Sequence, residues 1–270
     1  MDQKMRTLSL SLCLFVLFFA ACNNASNTAE EGNTTSTQAT TQTGEKYTLT
    51  PFANSTMYQD AKLGLQSYEA GKFTFDVKGE GYELGQQTPD APQKMCANSA
   101  KGQHIHLIVD NEPYSAQYVA SFDYDIADGE HYLLAFLSRS YHESLKTSAA
   151  SVLQKVTIAD KTITNTEDVT VPMLFYSRPK GTYVGTAETQ KVMLDYYLKN
   201  VNPMHNYQVK ADINGETYIL DYWRPYYIEG LPMGTNKITL TLIDENGNTV
   251  NTPLNPVSRE FILQPDPTEG

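Results

Sequence analysis

Val109-Asp110-Asn111-Glu112-Pro113-Tyr114 recurs in outline as Ile213-Asn214-Gly215-Glu216-Thr217-Tyr218, 104 positions further along the chain. Gly129-Glu130-His131-Tyr132-Leu133-Leu134-Ala135-Phe136-Leu137 has its counterpart in Gly234-Thr235-Asn236-Lys237-Ile238-Thr239-Leu240-Thr241-Leu242, 105 positions on. Val152, Val156 and Ile158 fall on Val257, Phe261 and Leu263, again 105 apart. One offset kept through three separated segments marks an internal duplication. A period of about 100 residues is the size of a β-sandwich, not of a solenoid repeat.

The patterns inside each copy agree. Ile105, Leu107 and Val109 alternate with His104, His106 and Ile108, and Ile238, Leu240 and Leu242 alternate with Lys237, Thr239 and Thr241. Alternation of period two is the mark of a strand with one apolar face. Asp110-Asn111-Glu112-Pro113, Asn214-Gly215 and Asp244-Glu245-Asn246-Gly247-Asn248 read as turns, Asn-Gly being the type I′ hairpin signal. Further strands are expected at residues 73–77 and 192–198. Helix signals are sparse; residues 144–153 can supply a helical turn. The chain therefore reads as all-β, with two tandem immunoglobulin-like β-sandwiches at residues 47–168 and 169–265. The apolar segment Val171-Pro172-Met173-Leu174-Phe175-Tyr176 is expected to pack between them in a fixed interface.

Composition bounds the function. The 270 residues are 40% apolar and 19% charged, as in a globular chain, and 18 tyrosines favour pleated, half-buried surfaces. A net charge of −11 excludes a nucleic-acid partner, which must be held by lysine and arginine on phosphate.

The N-terminus carries an address. Lys4 and Arg6 precede an apolar run from Leu8 to Phe19, too short to span a bilayer comfortably. Phe19-Ala20-Ala21-Cys22 resembles the lipobox of bacterial lipoproteins. That resemblance implies removal of a signal peptide at residues 1–21, a diacylglyceryl group on Cys22, and a membrane held by lipid instead of a spanning helix. By the same resemblance, Asn23 after the cysteine permits carriage onward to the outer membrane. Residues 22–46 lack aromatic and long aliphatic side chains after the cysteine and read as a disordered tether. Loss of Cys13 with the signal and acylation of Cys22 would leave Cys96 alone, with no internal disulfide to form.

The first copy differs from the second at residues that carry chemistry. It contains an insertion, residues 85–102, of the kind that is usually functional. His104 and His106 lie two apart, on one face of a strand, where the second copy has Gln208 and Lys210. Neutral imidazole suits zinc and copper, so the pair is half of a metal site, with His142, Glu143 or Asp110 to complete it. The plainer alternative is a polar sheet face of hydrogen-bonded histidines. His131 is expected in a turn. Ser138-Arg139-Ser140-Tyr141-His142-Glu143-Ser144 gathers hydroxyls, a guanidinium, an imidazole and a carboxylate, a set suited to gripping a phosphate or carboxylate. The alternative is a loop knitted by its own hydrogen bonds. Trp223, the only tryptophan, is a sugar-stacking candidate or, more ordinarily, a core or interdomain residue. The sequence has no G-x-S-x-G, H-E-x-x-H, phosphate loop or G-x-G-x-x-G.

Ala97-Asn98-Ser99-Ala100-Lys101-Gly102-Gln103-His104-Ile105-His106, Phe136-Leu137-Ser138-Arg139-Ser140-Tyr141-His142-Glu143-Ser144, Leu174-Phe175-Tyr176-Ser177-Arg178-Pro179-Lys180-Gly181 and Glu229-Gly230-Leu231-Pro232-Met233-Gly234 are similar to segments of a family of Gram-negative lipoproteins. Members of that family are labelled phosphopeptide-binding proteins, and the likeness covers nearly the whole chain beyond the tether. It implies tandem immunoglobulin-like domains and an envelope location, and assigns no ligand residue by position. The expectation is a non-enzymatic, lipid-anchored envelope protein whose ligand-binding residues are His104, His106, Ser138, Arg139, Ser140 and His142. Its ligand would be a phosphorylated or acidic peptide, or zinc or copper on His104 and His106. A structural or assembly role toward another envelope protein, and a metal-dependent enzyme, are the alternatives.

Overall fold

The computed structural model describes residues 42–43, 46–201, 206–220 and 222–267. The expected signal peptide, Cys22, most of the tether and His205 lie outside the described residues. The described residues belong to one compact unit, Ala39–Gly270.

The fold is two β-sandwiches. In the first, strands Lys62–Glu69, Lys72–Lys78 and Ser121–Asp123 form one sheet. Thr162–Glu167, Ser151–Ala159, Gly129–Ser138, His104–Val109 and Ser115–Gln117 form the other, in that order. Phe73, Phe75 and Phe122 from the small sheet meet Ile105, Leu107, Leu133, Ala135 and Leu137 from the large one. Those residues are alternate positions of their strands, which is why period two in the sequence marks the core.

In the second sandwich Met173–Arg178, Val192–Lys199 and Tyr226–Glu229 face Gly181–Val184, Val257–Gln264, Gly234–Asp244, Tyr207–Ile213 and Glu216–Leu220. The duplicated segments take matching places: Gly129–Ser138 and Gly234–Asp244 are the central strands of their sheets, and Ser151–Ala159 and Val257–Gln264 pair beside them. At the Asn214-Gly215 turn φ is +51° and +93°, both positive as a type I′ hairpin requires. The helical turn expected in residues 144–153 is a single 3₁₀ turn, Ser148–Ala150.

Two placements differ from the sequence reading. Thr48–Pro51, expected in the first sandwich, pairs antiparallel with Tyr226–Glu229 and extends a sheet of the second. Leu49 and Tyr47 are buried in the second core, and the Tyr47 amide donates to Tyr218 Oη at 3.0 Å. Gln42–Thr43, expected within the tether, pairs in turn with Thr48 and Leu49. Edge strands expose unpaired backbone groups, so a nearby extended segment finds partners there that its own sequence does not announce.

The sandwiches share a third apolar cluster. Ile108, Leu134 and Phe136 from the outer face of the first sandwich pack on Met173, Phe175 and Tyr197 of the second. Leu174 and Tyr176 point the other way into the second core, so the segment expected between the domains is a strand buried on both faces. Polar locks surround this cluster. Asn111 donates to the Leu174 carbonyl at 2.9 Å and accepts from the Tyr176 amide at 2.8 Å, as an extra strand residue would. Lys146 donates to buried Asp195 at 2.6 Å and to the Tyr196 carbonyl at 2.9 Å. Trp223 donates to that same carbonyl at 3.0 Å, and it packs on the shared cluster with Lys146 of the first sandwich 5.3 Å from its ring centre, which makes it an interdomain residue. Among the described residues no helix is long and apolar enough to cross a membrane.

Candidate functional site

The face of His104–Val109 that carries His104, His106 and Ile108 is the face that the second sandwich covers. Both histidines are therefore buried, at 0% exposure, and are not set on a solvated sheet surface. His104 Nε2 lies 2.9 Å from His106 Nε2 and 3.0 Å from His142 Nδ1. The three ligand nitrogens all fall within 4.8 Å of one another. Of the three residues weighed to complete the pair, His142 is the one that converges. Glu143 instead accepts from Ser55 at 2.6 Å and faces Arg139 at 3.5 Å. Asp110 accepts from His131, at 2.5 Å from its Nδ1, and from the Tyr132 amide at 2.8 Å. His131 lies in strand Gly129–Ser138, not in the expected turn, and stands apart from the cluster.

His142 arrives through a hairpin loop. The Arg139 amide donates to the Glu143 carbonyl at 2.9 Å, the His142 amide donates to the Arg139 carbonyl at 2.8 Å, and φ of His142 is +70°. The second copy makes the same loop 105 residues later. There the Asp244 amide donates to the Asn248 carbonyl at 2.9 Å, and Gly247, with φ +81°, donates to the Asp244 carbonyl at 3.0 Å. Glycine is the ordinary residue for a left-handed position at the end of such a loop; a residue with a Cβ loses roughly 1–2 kcal/mol there. The two sandwiches thus act as an internal control: the positions of His104, His106 and His142 are held in the second by Gln208, Lys210 and Gly247. Nothing in the shared framework calls for imidazole at any of them.

The surroundings fix the rings. The Gly102 carbonyl can only accept, so His104 Nδ1, 2.8 Å away, carries the proton and Nε2 presents its lone pair to the centre. Gly102 has φ +85°, and a Cβ there would collide with the carbonyl oxygens of Gly85 and Gln86. The insertion, residues 85–102, therefore closes on itself and holds the acceptor that orients His104. His106 stacks face to face on Tyr114, 3.6 Å between centroids, and its Nδ1 is 3.3 Å from Ser177 Oγ of the second sandwich. Tyr114 Oη is 3.3 Å from His142 Nδ1.

Burial lowers the basicity of all three imidazoles. Desolvation brings His104 down to about 4, despite the Gly102 carbonyl, which favours the cation. Desolvation likewise holds His106 and His142 well below the usual histidine range; next in importance are His104 for His106 and the Arg178 guanidinium for His142. Neutral imidazole is the form in which histidine binds a metal. Three nitrogens on a tetrahedral zinc ion at about 2.0–2.1 Å stand roughly 3.3 Å apart. Two of the three separations here are close to that. A backbone carbonyl accepting from the far ring nitrogen, as at His104, is a regular feature of such sites.

Ser138, Arg139 and Ser140 turn inward. Arg139 Nε and Nη2 both donate to the Thr56 carbonyl, at 3.1 and 2.6 Å. Ser138 Oγ donates to backbone carbonyls of Arg139 and Glu143, and Ser140 exchanges hydrogen bonds with Thr88 through its hydroxyl and its amide. All three are buried, and the groups that looked suited to a phosphate are occupied in holding the hairpin to residues 56 and 88. Cys96 packs against Phe52, Ala91, Tyr141 and Met193, and burial pushes its thiol up to about 12, which keeps it protonated.

Sequence reasoning passed over Arg178 and Lys180. Arg178 ends the buried strand Met173–Arg178 and Lys180 follows it, and both act electrostatically on the three histidines. Arg178 is 7% exposed and its Nε has no hydrogen-bond partner. Lys180 sits 4.0 Å above the Tyr114 ring and donates to the Tyr114 carbonyl at 2.6 Å. Burial, then Arg178 and Arg259, bring Lys180 down to about 8. A basic pair at the end of an apolar strand was the available signal, but no spacing rule links Arg178 to histidines 36 to 74 residues earlier.

No family model matches the chain, and no curated protein matches it. Among solved structures, it is similar to the fibronectin(III)-like modules of CbhA from Clostridium thermocellum: 14% identity, TM-score 0.28, covering 35% of this chain and all of that one. It is also similar to the central fibronectin-III array of RIM-binding protein, at 11% identity and TM-score 0.24, over 77% of this chain and 70% of that one. A Ca2+-stabilized, ice-binding adhesin of an Antarctic bacterium matches at 13% identity and TM-score 0.23, over 82% of this chain and 56% of that one. The assignment as tandem immunoglobulin-like sandwiches stands on the sheet topology itself.

Proposed function

We propose that this chain is a transition-metal-binding protein of the cell envelope, carried on a lipid at Cys22, that takes zinc or copper through His104, His106 and His142. One observation carries the reading: three imidazole nitrogens within 4.8 Å of one another, on two buried rings and one partly exposed ring, at positions where the duplicated framework uses glutamine, lysine and glycine. The left-handed His142 supports it, because a local conformational rule is broken at the residue that completes the cluster. The site lies where the two sandwiches meet, with Ser177, Arg178 and Lys180 supplied by the second, so binding would also tie the sandwiches together. The acidic-peptide reading is weaker on geometry, since the Arg139 guanidinium donates to the Thr56 carbonyl.

Calorimetric titration of the lipid-free protein with zinc and copper(II) tests the proposal. The parent is expected to bind one equivalent, and a His104→Ala, His106→Ala double variant to lose at least about a hundredfold in affinity, the upper range for altering a metal's environment. Equal affinity in the double variant would end the metal reading.

A further inference from the structure

The charge around the three histidines is one-sided. The groups acting on Arg178 are Tyr183, Tyr114 and Cys96, and those acting on Lys180 are Arg178 and Arg259. None is a carboxylate. The π faces of tyrosines stand in for counter-ions at two of them: Arg178 lies 5.3 Å from the Tyr183 centroid and Lys180 is 4.0 Å from Tyr114, whereas Arg259, 5.1 Å from Tyr176, also feels the Glu112 carboxylate. Such contacts are worth about 0.5–2 kcal/mol and leave net charge untouched. Elsewhere in the same interface a half-buried cation does have a carboxylate, since Lys146 meets Asp195 at 2.6 Å. The omission at the histidines is local.

A divalent ion on three neutral imidazoles adds two more positive charges to a site that already faces Arg178 and Lys180. Uncompensated buried charge is among the costliest arrangements in a protein. Three histidines also leave a fourth position open on a tetrahedral ion. Arg178 Nε is buried with no hydrogen-bond partner, and guanidinium is the donor that best matches a carboxylate or phosphate group. Lys180 and His142 keep partial exposure, so the rim meets solvent.

Resting on the metal reading, we propose that the complete ligand is a metal ion together with a small oxyanion, a carboxylate or phosphate group that fills the fourth metal position and engages Arg178 and Lys180. The oxyanion neutralises the cations and is held by the metal, so each ligand raises the affinity of the other by one shared factor.

Cobalt(II) serves as a coloured substitute for zinc. The full lipid-free chain is titrated with cobalt alone, with acetate, and with methyl phosphate, reading the visible absorption of the bound ion. Acetate or methyl phosphate at millimolar concentration is expected to tighten cobalt binding by about tenfold, within the usual range of coupling, and to shift the absorption bands. Arg178→Gln and Lys180→Gln should each cut that gain to under about threefold, a loss of the kind expected when one charged partner is removed. Lys180→Gln, at a half-buried rim position, keeps the test open if Arg178→Gln does not fold. The two anions distinguish a carboxylate preference from a phosphate one. Cobalt bound equally well with and without either anion overturns the oxyanion proposal and leaves the metal reading standing. Cobalt bound under no condition overturns both.

Discussion

Acidification from pH 7.5 to 5 should destabilise the metal-free protein well before its carboxylates titrate. His104 is buried, and desolvation places it at about 4 against an ordinary 6.5. Between those values the unfolded chain binds a proton that the folded chain refuses, so the slope of stability with pH is positive. The contribution is fully present above pH 6.5 and is lost as pH falls toward 4. At pH 5 the gap is 1.5 units, and at 1.36 kcal/mol per unit His104 alone removes about 2 kcal/mol. His106 and His142 are displaced the same way and add to it. Carboxyl groups titrate near 4, so the range from 6.5 to 5 isolates the imidazoles. The assay is urea unfolding in the presence of chelator at half-unit steps of pH, with a His104→Gln, His106→Gln variant beside the parent. The parent midpoint should fall steeply below pH 6.5 and the variant's much less. A parent midpoint that stays flat from 7 to 5 would mean that the histidines are solvated, and the buried cluster described above would be wrong.

Three further outcomes are expected. Asp195→Ala strands the Lys146 ammonium in the interdomain contact and should cost about 3–5 kcal/mol by denaturant unfolding, whereas Asp195→Leu with Lys146→Met should recover most of that loss. Gly102→Ala forces a Cβ into the carbonyls of Gly85 and Gln86 at positive φ, and should destabilise by more than about 1 kcal/mol while weakening metal binding through displacement of the His104 acceptor. Cys22→Ser should move the protein from the membrane to the soluble fraction in cells, and a protein that stays membrane-bound without that cysteine would contradict the lipid address.

Much of the fold is legible in the sequence because a strand's two faces alternate and a duplication repeats its mistakes and successes alike. Ile105, Leu107 and Val109 mark a core face without reference to anything distant, and Asn214-Gly215 sets its own turn. The offset of 105 extends further than the apolar pattern suggests: Arg139, His142 and Glu143 fall on Asp244, Gly247 and Asn248, and the loops make the same backbone hydrogen bonds. The environment of the histidines was less legible. His104 and His106 read as polar residues on an outer face, and only Ile108 on that same face hinted that something covers it. The cover is Met173, Phe175 and Tyr197, a contact between sandwiches that no local pattern encodes. Arg139 looked available because its partner, the Thr56 carbonyl, belongs to a segment 83 residues away with no signature of its own. Thr48–Pro51 went to the wrong sandwich for a similar reason, since edge pairing is decided by which sheet lies near and not by the strand's composition.

X-ray absorption at the metal edge of the zinc- or copper-loaded full chain addresses the central claim most directly. Three imidazole nitrogens at about 2.0–2.1 Å are expected, with one further light-atom ligand, and the imidazole shell should shrink when His142 is replaced by glycine, the residue its counterpart Gly247 already supplies. A loaded protein whose spectrum shows no imidazole shell, or whose shell is unchanged in His142→Gly, would contradict the account.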